Sequence, residues 1–131
     1  MKQQSIKGRF KPSNPEKYNG NVNKITYRSL WERRFMLYCD RSDQILNWSS
    51  EELHIPYISP KDEKYHNYYP DFMVNTRDGR ILLVEIKPKY QWKWEVNQAK
   101  WDAAKTHCEL HGWEFVVLGQ KELYGRGFKN S

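Results

Sequence analysis

The run Ile81-Leu82-Leu83-Val84 is apolar at four consecutive positions, then breaks into Glu85-Ile86-Lys87 just before Pro88. A short run that is apolar on both faces reads as a strand inside a sheet, covered on both sides. Pro88 has no N–H to donate and ends the regular pairing. Residues two apart on a strand share a side, so Glu85 and Lys87 point one way while Val84 and Ile86 point the other, into a core. A carboxylate and an ammonium at the end of such a strand lose hydration, a cost offset only if they pair or bind something. The chain must therefore build layers around this strand and leave a charged site at its end.

A second strand-like run, Tyr69–Val74, precedes it, and a turn containing Asp78-Gly79 joins the two. Whether Asp71 meets Glu85 depends on the loop length. A two-residue loop sets Asp71 opposite Ile86, on the wrong face. A three-residue loop over 77–79, a type I turn followed by one left-handed residue at Gly79, sets Asp71 opposite Glu85. The three-residue loop, or a bulge of the same effect, is expected. Two facing carboxylates repel unless a cation sits between them. Hard oxygen donors of this kind suit Mg²⁺ or Mn²⁺. Such an ion can polarise a phosphodiester and acidify a water, with Lys87 positioned to orient or deprotonate that water or to stabilise charge on phosphate. The competing reading of the lysine beside two acids is a plain salt bridge.

Ser29-Leu-Trp-Glu32 reads as an N-cap and first turn, with a helix running to about Cys39 and Trp31, Phe35 and Tyr38 on its buried stripe. Glu32 completes an S-x-x-E capping box, worth about 1 kcal/mol, and is also a candidate for the acidic site. Ile45–Trp48 and Leu53–Ile58 are strand-like, the second an edge because of Pro56. Residues 59–67 read as a polar loop. Glu95–His111 forms a helix closed by Gly112, followed by a strand over Trp113–Leu118 and a basic, glycine-containing tail over 119–131. Strand, helix and strand across 81–118 imply a right-handed parallel crossover. The class is α/β, a mixed β-sheet flanked by helices.

The 131 residues fit one domain. Residues 1–28 hold seven Lys and Arg against Glu16 alone, so the whole excess of +6 lies there. With Pro12, Pro15, Gly8 and Gly20 among polar residues, 1–25 is expected to be a basic extended arm with little regular structure, ahead of a single domain over 26–131. Such an arm gains affinity for a polyanion by releasing counterions, which makes Lys7, Arg9, Lys11, Lys17 and Arg28 candidate DNA contacts; a solubilising tail is the alternative. After the charged motif, Lys89 and Lys93 interleave with Tyr90, Trp92 and Trp94, a pattern that either follows a nucleic-acid backbone or anchors the connection to the core. His66 is either a phosphate contact or an ordinary surface histidine. His107 and His111 flank Cys108 without a second ligand pair, and a solvated helix end explains them better than zinc. No run of about 18 apolar residues and no apolar leader occur, so neither a membrane span nor a secretory signal is expected. Two cysteines, both in helical stretches, are expected as free thiols in a reducing cytoplasm.

Pro70-Asp71 followed by Glu85-Ile86-Lys87 at a strand end resembles the PD-(D/E)xK nuclease motif. Tyr69-Pro-Asp-Phe72, with Glu32 on an upstream helix, looks like the branch containing TnsA-type transposon-end endonucleases. The ordered blocks GRFKPSNPEKYNGN, YRSLWERRFMLYCD, WSSEELHIPYISP and YYPDF…VEIKPK resemble the head completion nucleases of T4-type phages and cover most of residues 8–90. The resemblance implies a restriction-endonuclease-like core and Mg²⁺- or Mn²⁺-dependent cleavage of DNA. It carries Glu32, Asp71, Glu85 and Lys87 over as the catalytic set, with Asp71, Glu85 and Glu32 as metal ligands. It also implies phage portal, neck or head proteins as partners, in the host cytoplasm or the virion head. Two rival functions stay open: a non-catalytic DNA- or portal-binding head protein, and a transposon or recombination endonuclease. The intact Asp71, Glu85 and Lys87 favour cleavage over a structural role.

Overall fold

The computed structural model describes residues 6–125. Along the chain run β1 (Gly8–Arg9), β2 (Thr26–Tyr27), α1 (Leu30–Arg41), β3 (Ile45–Ser50), β4 (Ile55–Ile58) and β5 (Tyr65–Tyr68). There follow β6 (Phe72–Thr76), β7 (Ile81–Ile86), α2 (Glu95–His111), β8 (Glu114–Leu118) and α3 (Gln120–Tyr124). The central sheet has the order β3-β6-β7-β8, antiparallel except for the parallel β7–β8 pair that α2 connects. β4 and β5 form a separate antiparallel ribbon.

Alternation along β7 divides the interior into two cores. Val84 and Ile86 face α1, packing with Trp31, Phe35, Met36 and Phe72. Leu83 faces the other way, toward Trp101, Ala104 and Cys108 of α2 and Ile55, Tyr57 and Tyr68 of the ribbon. Glu85 follows Leu83 onto that second face, as strand periodicity requires. Helices therefore cover both sides of a mixed sheet, the expected class. Cys39 and Cys108 are buried free thiols, and no helix among the described residues is long and apolar enough to cross a membrane.

The helical and central-strand readings hold closely. α1 starts after Ser29, whose side chain accepts from the Glu32 N–H at 3.1 Å, and α2 spans Glu95–His111 with Gly112 in the left-handed conformation at φ 72°. The β6–β7 register pairs Phe72 with Val84 and Asn75 with Ile81, which is the three-residue-loop register. The Thr76 N–H donates to Arg80 O at 2.9 Å and the Gly79 N–H to Thr76 O at 3.1 Å, closing the turn. Gly79 has φ 91° and open space where a Cβ would stand. Gly79→Ala should therefore cost only the backbone penalty, about 1–2 kcal/mol, read as a lower denaturation midpoint with an unchanged slope. A neutral effect would mean the turn tolerates another conformation.

Three expectations need correction. Residues 59–67 are not all loop: Tyr65–Tyr68 pairs with Ile55–Ile58, and the second strand of the hairpin begins only at Phe72. Tyr68 is 3% exposed and seals the ribbon onto the sheet, a burial that a polar stretch conceals. The expected tail contains α3, whose Leu123 is fully buried and whose carbonyl accepts from Arg34 Nε at 3.0 Å; residues 126–131 lie outside the described residues. The N-terminal segment, beyond residues 1–5 that also lie outside, does have little regular structure, yet it is no loose arm. Phe10, Tyr18 and Ile25 are buried in the α1-side core, and Tyr18 packs edge-on against Trp48 at 4.8 Å between ring centroids. Aromatic burial in three places outweighs what Pro, Gly and charge suggest about freedom.

Candidate active site

The central sheet ends in a charged cluster where β6 and β7 approach the ribbon and α2. Asp71 immediately precedes β6, and continuing the register beyond Phe72–Val84 sets it opposite Glu85. Its Oδ2 accepts from the Ile86 N–H at 2.7 Å, and its carbonyl accepts from the Glu51 N–H at 3.2 Å. Glu85 is only 4% exposed. Tyr68 donates its hydroxyl to Glu85 Oε1 at 2.7 Å, and Lys87 Nζ lies 3.7 Å from Glu85 Oε2. The three residues that the sequence singled out at the sheet end are thus gathered together. The backbone of Lys87 is held too, since its carbonyl accepts from Trp92 Nε1 at 2.9 Å.

Glu32 enters from the start of α1. Its Oε1 accepts from the Arg28 N–H at 2.9 Å, one residue earlier than a standard capping box would reach. Arg28 makes a two-pronged ion pair with Glu51, its NH2 donating to Oε1 at 2.8 Å. Glu51 itself sits at φ 56°, a conformation that costs a non-glycine residue about 1–2 kcal/mol and turns the chain sharply out of β3.

The electrostatics are those of crowded acids. Burial raises the Asp71 pKa well above the ordinary value, and the charges of Glu85 and Glu32 raise it further. Burial likewise raises Glu85, opposed by Lys87 and by the Tyr68 hydrogen bond. Glu32 is raised by burial, against the hydrogen bond from the Arg28 N–H. On the far side, burial lowers the pKa of Lys100, and the neighbouring Lys87 lowers it further. Tyr68 is raised by burial and by Glu85.

This donor set fits a hard divalent ion. All candidate ligands are oxygens, and at Asp71 the charges of Glu85 and Glu32 outweigh that of nearby Lys87. Mg²⁺ characteristically takes one or two carboxylates and keeps several waters, which matches the Asp71–Glu85 pair. Among the described residues, no three His, Cys, Asp or Glu side chains are gathered closely enough to enclose an ion. Glu32 stands within electrostatic reach of Asp71, its charge acting on that carboxyl from the start of α1. Its Oε2 has no protein partner among the described residues.

The candidate DNA contacts scatter differently. Lys7, Arg9, Lys11, Lys89 and Lys93 are exposed, Lys89 lying over the Trp92 ring at 5.9 Å. Arg9 donates to Asn23 O. Lys17 is put to another use: its ammonium donates to Asp40 O at 3.1 Å and Ser42 O at 2.8 Å, capping the end of α1. Arg28 is engaged by Glu51, and His66 by Asp62 at 2.9 Å. The segment after the site divides its aromatics. Trp92 anchors to the core, while Tyr90 and Trp94 remain exposed. Tyr68 and Glu51 were missed at the sequence level. A tyrosine three residues before an acidic motif carries a usable signal, whereas the Glu51 conformation leaves none in composition or periodicity.

A mixed sheet with helices on both faces and acids with a lysine at the ends of its two middle strands defines an α/β nuclease fold of the restriction-endonuclease-like kind. The family model for the TnsA-like endonuclease N-terminal region matches residues 42–120, and the chain belongs to that family. It is also 32% identical to the head completion nuclease of Enterobacteria phage T4, over 146 aligned positions covering 95% of this chain and 97% of that protein.

Proposed function

We propose that this protein is a divalent-metal-dependent deoxyribonuclease that trims or cuts DNA ends during completion of a phage head. The observation that carries the reading is the β6–β7 register, which sets Asp71 against Glu85 with Lys87 Nζ 3.7 Å from the glutamate. The name of the T4 relative supports the phage-head setting, and its near end-to-end alignment supports a common activity.

In this reading Asp71 and Glu85 hold Mg²⁺ or Mn²⁺. The bound ion would supply positive charge to polarise a phosphodiester and acidify an attacking water. The chain's own groups do the positioning. The Ile86 N–H fixes one oxygen of Asp71, and the Tyr68 hydroxyl fixes one oxygen of Glu85, so each carboxylate is held in a single orientation. Lys87, close to Glu85 yet beyond hydrogen-bonding distance, retains donors to orient a water or to meet charge growing on phosphate oxygens. Glu32 offers its free oxygen to the same water. Exposed Lys7, Arg9, Lys11, Lys89 and Lys93 supply the sequence-independent attraction to DNA. Portal, neck or head proteins are the proposed partners, and the host cytoplasm or the virion head the proposed setting.

The test is digestion of circular and linear DNA by the wild type with Mg²⁺, by the wild type with EDTA, and by Asp71→Asn with Mg²⁺. Product is expected only in the first. Equal product in all three would remove the proposed site, and none in any would favour a purely structural head protein.

A further inference from the structure

One lysine near the site is left over by the reading above. Lys100 lies on α2 three residues after buried Asn97 and four before buried Ala104, so it projects from the inward side of the helix. Its ammonium rests over two tyrosine rings, 6.0 Å from the centroid of Tyr57 and 5.9 Å from that of Tyr68. Tyr68 is the same residue that donates to Glu85. Among the described residues Lys100 has neither a hydrogen-bond acceptor nor a salt-bridge partner.

An inward-facing lysine ordinarily finds a carboxylate, and Glu85 is near enough for its charge to act on this one. Lys87 already stands beside that carboxylate, 3.7 Å from its Oε2. Two ammonium groups thus converge on one acidic site from opposite elements, β7 and α2, and repel one another. Two ring faces hold the second ammonium in place without consuming its donors, since the attraction is electrostatic and involves none of its N–H groups. A cation so held, with three donors unused, is organised for an anion that arrives with the substrate. Lysine serves phosphate as a compact point charge.

We propose that Lys100 is a phosphate-binding residue of this site, its ammonium gripping a backbone phosphate of the DNA strand while Lys87 engages the same phosphodiester from the other side. The inference rests on the nuclease reading for its substrate, and Tyr57 and Tyr68 act as positioning residues for the ammonium.

The experiment uses the full chain and two variants, Lys100→Met, which keeps an apolar stem on the rings, and Lys100→Arg, which keeps the charge. Cleavage is followed with Mg²⁺, binding of the same duplex is followed in EDTA across a salt series, and each protein is melted. Lys100→Met should cleave roughly a hundredfold more slowly. Its plot of log affinity against log salt should be shallower by about one, the signature of one lost phosphate contact. Lys100→Arg should keep the wild-type slope and recover most of the rate, and all three should melt alike. Wild-type rate and slope in Lys100→Met would overturn the proposal, as would equal loss in both variants with a lowered melting temperature, which marks a structural strut. A wild type that binds but never cuts would defeat the nuclease reading alone, because the salt slope still decides whether Lys100 meets phosphate.

Discussion

Asp71→Asn is expected to make the metal-free protein more stable while lowering cleavage by on the order of a thousandfold. Asparagine has the same shape and can still accept the Ile86 N–H that Asp71 Oδ2 accepts at 2.7 Å. What it removes is a charge that burial, Glu85 and Glu32 all disfavour. Removing it should stabilise by about 1 kcal/mol or more, raising the melting temperature by several degrees. The pH dependence follows the same sign. Asp71, Glu85 and Glu32 all have folded-state pKa values above their unfolded ones, so the folded chain holds protons more tightly. Their stabilising contribution is complete below the ordinary carboxylate pKa and is lost as pH rises through the raised values. Metal-free melts should accordingly rise as pH falls from neutrality toward the carboxylate range, less steeply in Asp71→Asn. Added Mg²⁺ favours the charged forms and should raise the wild-type melt most at higher pH. A variant that melts below wild type, with the same pH slope, would show that the acids are not in conflict.

How far the sequence reveals this site depends on the kind of physics each part obeys. The Asp71–Glu85 encounter was legible because strand pairing is arithmetic. Gly79 favours the three-residue loop, and the loop length then fixes every partner. The end of α2 was legible because Gly112 stops it in the left-handed conformation. The ribbon partner of β4 was not, because Tyr65–Tyr68 carries a histidine, an asparagine and one buried side chain, too little for a period to register. Lys100, like Gln98, reads in the sequence as either facing the site from early in the helix or lying on its ordinary surface; its approach to Tyr57 and Tyr68 depends on how α2 packs on the ribbon. The N-terminal segment misleads for a different reason. Its charge is carried largely by exposed side chains, Lys7, Arg9, Lys11, Lys24 and Arg28 among them, while its structure belongs to Phe10, Tyr18 and Ile25. Deleting the segment would therefore remove core. Neutralising Lys7, Arg9 and Lys11 individually is the sounder probe of DNA contact.

The same segment depends on one aspartate that no motif marks. Asp40 sits in the last turn of α1, where a negative charge opposes the helix dipole, and it is 1% exposed. Both unfavourable terms are offset by what it binds. Oδ2 accepts from the Ser13 N–H at 2.8 Å and Oδ1 from the Asn14 N–H at 2.9 Å. Its carbonyl accepts from Asn14 Nδ2 at 2.9 Å and from Lys17 Nζ at 3.1 Å. The carboxylate thereby pins residues 13 and 14, and the Asp40 carbonyl Asn14 and Lys17, to the end of α1, between the two stretches that carry Phe10 and Tyr18 into the core. Asp40→Ala leaves two backbone N–H groups without their charged acceptor, each such bond being worth about 1.5–3 kcal/mol. A total loss of about 4 kcal/mol is expected, a fall in melting temperature on the order of 15 °C. Asp40→Asn should lose less, since its single carbonyl oxygen still serves one of the two donors. The loss should also be local before it is global, with early proteolysis between Lys7 and Lys24 while α2 and the central sheet stay protected. If Asp40→Ala melts within a degree or two of wild type, the aspartate is not the anchor, and the buried aromatics alone hold the segment down.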